Sequence, residues 1–229
     1  MSSGAMASRG VLAALVIACG VLPVVGGCAS TGIALRERFG YAKREQLVDN
    51  VVAARDEQQE AKEQFQSALE QFLAVTGTGG NVADLEARYS ALSREYSRSE
   101  RQAESVRGRI VDVERVAEAL FAEWEDELDE YENASLRRSS EQQLRETRAQ
   151  YGRLLGAMKD AEASMGPVLS AFKDQVLFLK HNLNARAIAS LQETATEIQG
   201  DVERLIREME RSIAEADAFV RQMGSVGEG

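Results

Sequence analysis

The 229-residue chain has little of several residue types, and each scarcity excludes something. It carries two cysteines, two prolines, one histidine and one tryptophan, with aromatics at 6%. Both cysteines, Cys19 and Cys28, lie near the amino terminus, so the body of the chain can form no disulfide and is not a cysteine-stapled scaffold. With one histidine and no cysteine cluster, the usual zinc and haem ligand sets are missing, so no metal or cofactor is expected. His181 has no nucleophile or paired base within the pattern and reads as a structural or solvent-facing residue; the sequence predicts no enzyme. The prolines, Pro23 and Pro167, leave residues 36–166 free of proline, as long helices require. Acidic residues outnumber basic ones 37 to 27, for a net charge of −10, which argues against a broad electrostatic grip on nucleic acid.

What is present begins with an address. Arg9 is followed by the apolar run VLAALVIACGVLPVVGGC, which is of secretory length and too short and broken to span a membrane. Small residues run up to Cys28, which is followed by Ala-Ser-Thr. The pattern resembles a bacterial lipobox, in which the cysteine is acylated and becomes the mature amino terminus. The sequence therefore predicts a lipoprotein signal peptide over 1–27, a lipidated Cys28 with a linker over 28–35, and attachment to a membrane through lipid. Val-Ile-Ala-Cys19 fits the box better than the residues before Cys28, but leaves a shorter apolar stretch, so Cys19 stays an alternative. Two or more acyl chains anchor stably, at about 0.8 kcal/mol per buried methylene. Ala29 in place of Asp favours, by analogy with lipoprotein sorting, the outer membrane facing the periplasm.

The body is a ladder of heptads. Leu47, Val51, Ala54, Gln58, Ala61, Phe65, Ala68, Phe72 and Val75 step by four and three, a seam of period 3.5 with one polar member. Three glycines in residues 77–81 predict a turn. A longer ladder runs from Val82 through Leu92, Val106, Val113 and Trp124 to Tyr131; fifty such residues make a rod of about 75 Å, which needs partners to persist in water. Asn133-Ala134-Ser135 is the next punctuation, with Asn133 expected to close one helix and Ser135 to cap the next. The seam resumes at Thr147, Tyr151, Leu154, Met158, Ala161, Met165, Val168 and Phe172. Its spacing then relaxes towards elevens, and a kink is expected near 166–167, at Gly166-Pro167. A wide apolar stripe from Val202 to Met223 suits a helix packed against two others. The predicted fold is all-α: an elongated antiparallel bundle or coiled coil of three to four long helices over 36–223. The helices are expected at about 36–76, 82–132, 135–199 and 201–223, followed by a frayed tail over 224–229.

Two constellations invite a functional reading. Glu123, Glu125, Asp126, Glu127, Asp129, Glu130 and Glu132 crowd the end of the second helix, against the sense of its dipole. They read as a solvated tip partly neutralised by Arg137 and Arg138, or as an oxygen-ligand surface for a divalent cation or a partner. Residues 168–191 are the least charged part of the body. Val176, Leu177 and Phe178 are apolar all round, which predicts burial on several sides or an interface, with Asn182 and Asn184 as polar register-setters. Gly152-x-x-x-Gly156 suggests close helix packing.

The segments LFAEWEDELDEYENASLRR (120–138) and DQVLFLKHNLNARAIASL (174–191), with the CAST that opens the mature chain, resemble an uncharacterised family of bacterial envelope lipoproteins catalogued only as a domain of unknown function. The resemblance runs from about Cys28 to Met223. It implies a coiled-coil lipoprotein and supplies no activity, ligand or catalytic residue. The expected function is that of a non-enzymatic, membrane-anchored periplasmic scaffold, tether or assembly factor, with an envelope protein or a second copy as partner. The alternative is a membrane-surface or divalent-cation-responsive module that uses the acidic tip 123–132.

Overall fold

A computed structural model describes residues 28–76, 82–182 and 184–225, except the side chains of 28–41, 82–84, 185–187 and 225. The predicted signal peptide over 1–27 with Cys19, the glycine turn at 77–81, Leu183, and the tail beyond Ser225 lie outside the described residues. Four helices follow in order: α1 (Cys28–Thr76), α2 (Val82–Leu128), α3 (Ala134–His181) and α4 (Ala185–Ser225). The short connections make consecutive helices antiparallel neighbours. The packed pairs are α1 with α2, α2 with α3, α3 with α4, and α4 with α1, so the helices stand at the corners of a square and close it.

The seam read from sequence is buried along most of its length; Tyr89, Tyr96, Trp124 and Tyr151 are half-buried, and Tyr131, beyond the end of α2, is exposed. All nine α1 positions from Leu47 to Val75 are buried, Gln58 included. On α2 the same holds for Leu85, Leu92, Ser99, Ala103, Val106, Ile110, Val113, Ala117 and Leu120, and on α3 for Thr147 and for Leu154 through Phe172. Among the residues whose side chains are described, one connected core runs from Leu47 to Met223. Large rings hold its two ends. Phe121, Tyr151 and Phe219 stack edge to face at 5.4 and 6.5 Å near one end, and Phe72 meets Phe172 at 6.2 Å near the other.

Four boundary expectations are corrected. The linker expected over 28–35 is helical, because α1 starts at Cys28. The kink expected at Gly166-Pro167 does not interrupt the helix: both residues are exposed and α3 runs on through them. The chain instead leaves the helix at Asn182, whose φ is −133° and whose side chain donates to the Phe178 carbonyl at 2.9 Å. Short amides that bond the backbone compete with helical hydrogen bonds, which is why this site and not the proline ends α3. The eleven-residue spacing beyond Phe172 therefore spans the end of one helix and the start of the next. The boundary expected near 199–201 also fails. Gly200 lies inside α4 between buried Ile198 and Val202, whose packing outweighs the roughly 1 kcal/mol that a helical glycine costs. α2 ends at Leu128 instead of 132, and Asn133 is the N-cap of α3 and not the close of α2. Its side chain accepts from the amides of Ser135 and Leu136 at 2.9 and 3.2 Å.

The Gly152-x-x-x-Gly156 pair does not pack closely. Both glycines are exposed, and a Cβ on either, or on Gly108, would meet nothing within 4 Å. Each of Gly108→Ala, Gly152→Ala and Gly156→Ala should therefore stabilise the bundle by about 0.5–1 kcal/mol, because alanine loses less backbone entropy on folding. Urea unfolding reads the effect; an unchanged or lower midpoint would show that these positions contact something outside the chain.

Candidate functional site

The two ends of the rod differ. At one end α1 enters: Lys43 pairs with Glu123 of α2 at 3.0 Å, and the Arg44 guanidinium donates to the Met223 carbonyl of α4. The α2–α3 turn closes this end. At the opposite end Gln192 of α4 donates to the Thr76 carbonyl at 2.6 Å, and Arg88 of α2 donates to the Ala74 carbonyl at 2.6 Å. The acidic segment 123–132 thus shares the end of Cys28, while the 176–184 segment lies at the far end. From Lys43 back to Cys28 is fifteen residues of helix, about 22 Å, against about 7.5 Å from Glu123 to the end of α2 at Leu128. Cys28 therefore leads the acidic turn by about 15 Å.

The acidic segment is laced by bases from two other helices, α1 and α3. Glu123 is half-buried against Lys43 in an ion contact that lacks hydrogen-bond alignment. Glu125 pairs with Arg148, whose guanidinium also lies 5.2 Å over the Phe121 ring, and this pairing holds the Glu125 carboxyl below its usual range. Asp129 meets Arg137 at 2.9 Å, and Arg137 also reaches Glu141 at 3.1 Å. Asp126, Glu130 and Glu132 are exposed and Glu127 is half-buried. Among the described residues no group of three or more His, Cys, Asp or Glu side chains is arranged to hold a metal ion. The structure thus brings the seven acids to one end but disperses them among separate partners. Each such exposed pair contributes little, about 0–1 kcal/mol, so the lattice shapes the surface more than it stabilises it.

At the far end Val176 is buried in the core, whereas Leu177 and Phe178 are 49% and 38% exposed. Burial on several sides, one of the two readings of this stretch, is corrected: one side faces the core and the next is open. Asn182 and Asn184 are not buried register-setters. They build the α3–α4 turn, in which the Asn184 amide donates to the Asn182 carbonyl at 2.9 Å. His181, the last residue of α3, is exposed.

The match to known families covers this same rod. A family model described as "Protein of unknown function (DUF2959)" matches residues 33–223. The chain belongs to that family. No curated protein matches it, and no solved structure does. No helix among the described residues is long and apolar enough to cross a membrane.

Sequence reading missed two features of the site. Ser212 is fully buried at the α4 seam, where Ile213 is only half-buried. The three-four spacing from Met209 to Ala216 passes through 212, but a serine beside an isoleucine hides the position. The second is Tyr151. Held between Phe121 and Phe219, its hydroxyl is pushed up to about 12, first by burial and then by the negative charges of Glu114 and Glu118. Tyr96 is also raised to about 12, by burial and by its hydrogen bond to Glu100. A phenol that ionises near 10 when unfolded and near 12 when folded contributes stability in full below pH 10, and loses it as pH rises towards 12. Absorbance titration should place two of the tyrosines well above 10, and Tyr151→Phe should flatten the alkaline fall in the urea midpoint between pH 10 and 12. An unchanged slope would contradict the assignment to Tyr151.

Proposed function

We propose that this chain is a non-enzymatic envelope lipoprotein: a rigid four-helix rod anchored through lipid on Cys28, probing the periplasm with its opposite end as a scaffold, tether or assembly factor. The observation that carries the reading is the placement of the two apolar features. The apolar amino-terminal run joins α1 at Cys28, at the end of the α2–α3 turn. The exposed Leu177 and Phe178 lie at the end where α1 and α2 meet and α3 turns into α4. α1 alone, at 49 residues, spans about 73 Å, so an anchor at one end carries the other well clear of a bilayer about 40–45 Å thick. Paired seams that fill the core support a mechanical element over a catalytic one. One concavity among the described residues is a small depression lined by Gln150, Arg153, Glu215 and Phe219. Ala29 after Cys28 favours the outer membrane.

The alternative, a cation-responsive module at the acidic tip, has weaker support. Lys43, Arg137 and Arg148 already compensate three of the seven carboxylates, and an incoming cation would have to displace them.

The test is photocrosslinking in cells with a probe at Leu177 and a control probe at Glu130. The expected result is an adduct of discrete mass from position 177 alone, with an envelope component or a second copy of the chain. No adduct from 177, or the same adducts from both ends, would overturn a scaffold that acts through its far end.

A further inference from the structure

The middle of the α1 seam holds a group that burial should penalise. Gln58 is 0% exposed, and neither atom of its amide has a hydrogen-bond partner among the described residues. Across the bundle on α4, Ser212 is also 0% exposed and its Oγ is likewise unpartnered. Two ion pairs fix how these helices align: Arg55 with Asp217 at 2.9 Å, and Lys62 with Glu210 at 3.5 Å. Gln58 lies between the two α1 members and Ser212 between the two α4 members, so both occupy one layer of the core. Three other buried polar side chains are satisfied. Ser99 donates to the Glu95 carbonyl at 3.0 Å, Thr76 to the Leu73 carbonyl at 2.9 Å, and Ser140 accepts from Trp124 at 2.8 Å. A buried polar group without a partner is disfavoured, and a leucine of similar volume at 58 would carry no such cost.

The rest of the seam shows what the polar layer could be for. Ala54, Ala61 and Ala68 recur every seven residues on α1, all buried, so a slip by one heptad lays alanine onto alanine. Gln58 is the one polar member of the alternate series Val51, Gln58, Phe65 and Phe72. In the observed register it shares its layer with the small, hydroxyl-bearing Ser212. Displaced by seven residues in either direction, it would face buried Leu205 or Phe219, which offer neither a donor nor an acceptor. A single polar seam residue that costs stability and fixes alignment is a known device of coiled coils.

We infer that Gln58 and Ser212 form a polar register lock, which holds α1 against α4 in one alignment and excludes heptad-slipped pairings within the chain and with a second copy. The lock goes beyond the scaffold reading and does not depend on it. It fixes the length of the rod, because each slipped heptad would move α1 by about 10 Å.

The test uses the full chain with Cys19→Ala and Cys28→Ala, so that the introduced cysteines are the ones labelled. Cysteines placed at the exposed Glu60 of α1 and Ala214 of α4 take spin labels for pulsed distance measurement. The parent should give one narrow distance and one solution mass. Gln58→Leu, with Gln58→Met as a second variant in case leucine packs poorly, should raise the urea midpoint. The same variants should add a second distance population shifted by about a heptad, or a higher-mass species in light scattering. The exchanged pair Gln58→Ser with Ser212→Gln should return the single distance and mass. Apolar variants that keep the parent's one distance and mass, or that lower the midpoint, would overturn the lock.

Discussion

Everything in this molecule depends on one constraint: apolar side chains spaced at 3.5 residues must leave water, and no single helix of this sequence can arrange that alone. Four such seams face one another, and each helix packs on two neighbours, so the square closes without a sheet, a disulfide or a metal among the described residues. The choice of side chain along the seam then sets the character of each level. Aromatic clusters sit towards the two ends, while the middle mixes alanines with Phe65, Met158 and Met209 and with the polar Gln58 and Ser212. At the two polar positions the seam forgoes the roughly 25 cal/mol that each Å² of buried apolar surface would contribute.

The helical architecture was legible because heptad spacing is a direct statement about which side chains share a face. The α1 ladder written from spacing alone is buried at every position, glutamine included. The errors arose where local residue preferences were set against packing. Gly166-Pro167 looked like a break, but both residues face solvent and α3 continues through them, so the packing of buried Met165 and Val168 on either side outweighs the backbone hydrogen bond that the proline removes. Gly200 looked like a boundary and is spanned by core residues on either side. Asn182 carried the true signal, since its side chain satisfies the Phe178 carbonyl at the end of α3. The candidate site was less legible. Sequence could count seven carboxylates in 123–132, but not that their partners come from α1 and α3, at positions 43, 137 and 148. Nor could it tell which end of the rod they share with Cys28.

That placement orders the functional picture. With an anchor at Cys28, the net-acidic turn between α2 and α3 faces the membrane side, and its arginine and lysine pairs moderate its charge there. The opposite end, with Leu177 and Phe178 open beside a turn built on asparagine amides, is the surface left to meet something else. A rod whose length is set by packed heptads can act through geometry alone, holding its far end at a fixed distance from its anchor. Such a part needs a firm attachment and a fixed register more than it needs a pocket.

The attachment is the claim on which this account turns. The most direct measurement is mass spectrometry of the amino-terminal peptide of the chain purified from bacterial membranes. The account predicts a chain that begins at Cys28 and carries the mass of a diacylglyceryl group on sulfur and an acyl group on the amine. A chain that retains residues 1–27, or that begins elsewhere with Cys28 unmodified or removed, would contradict it.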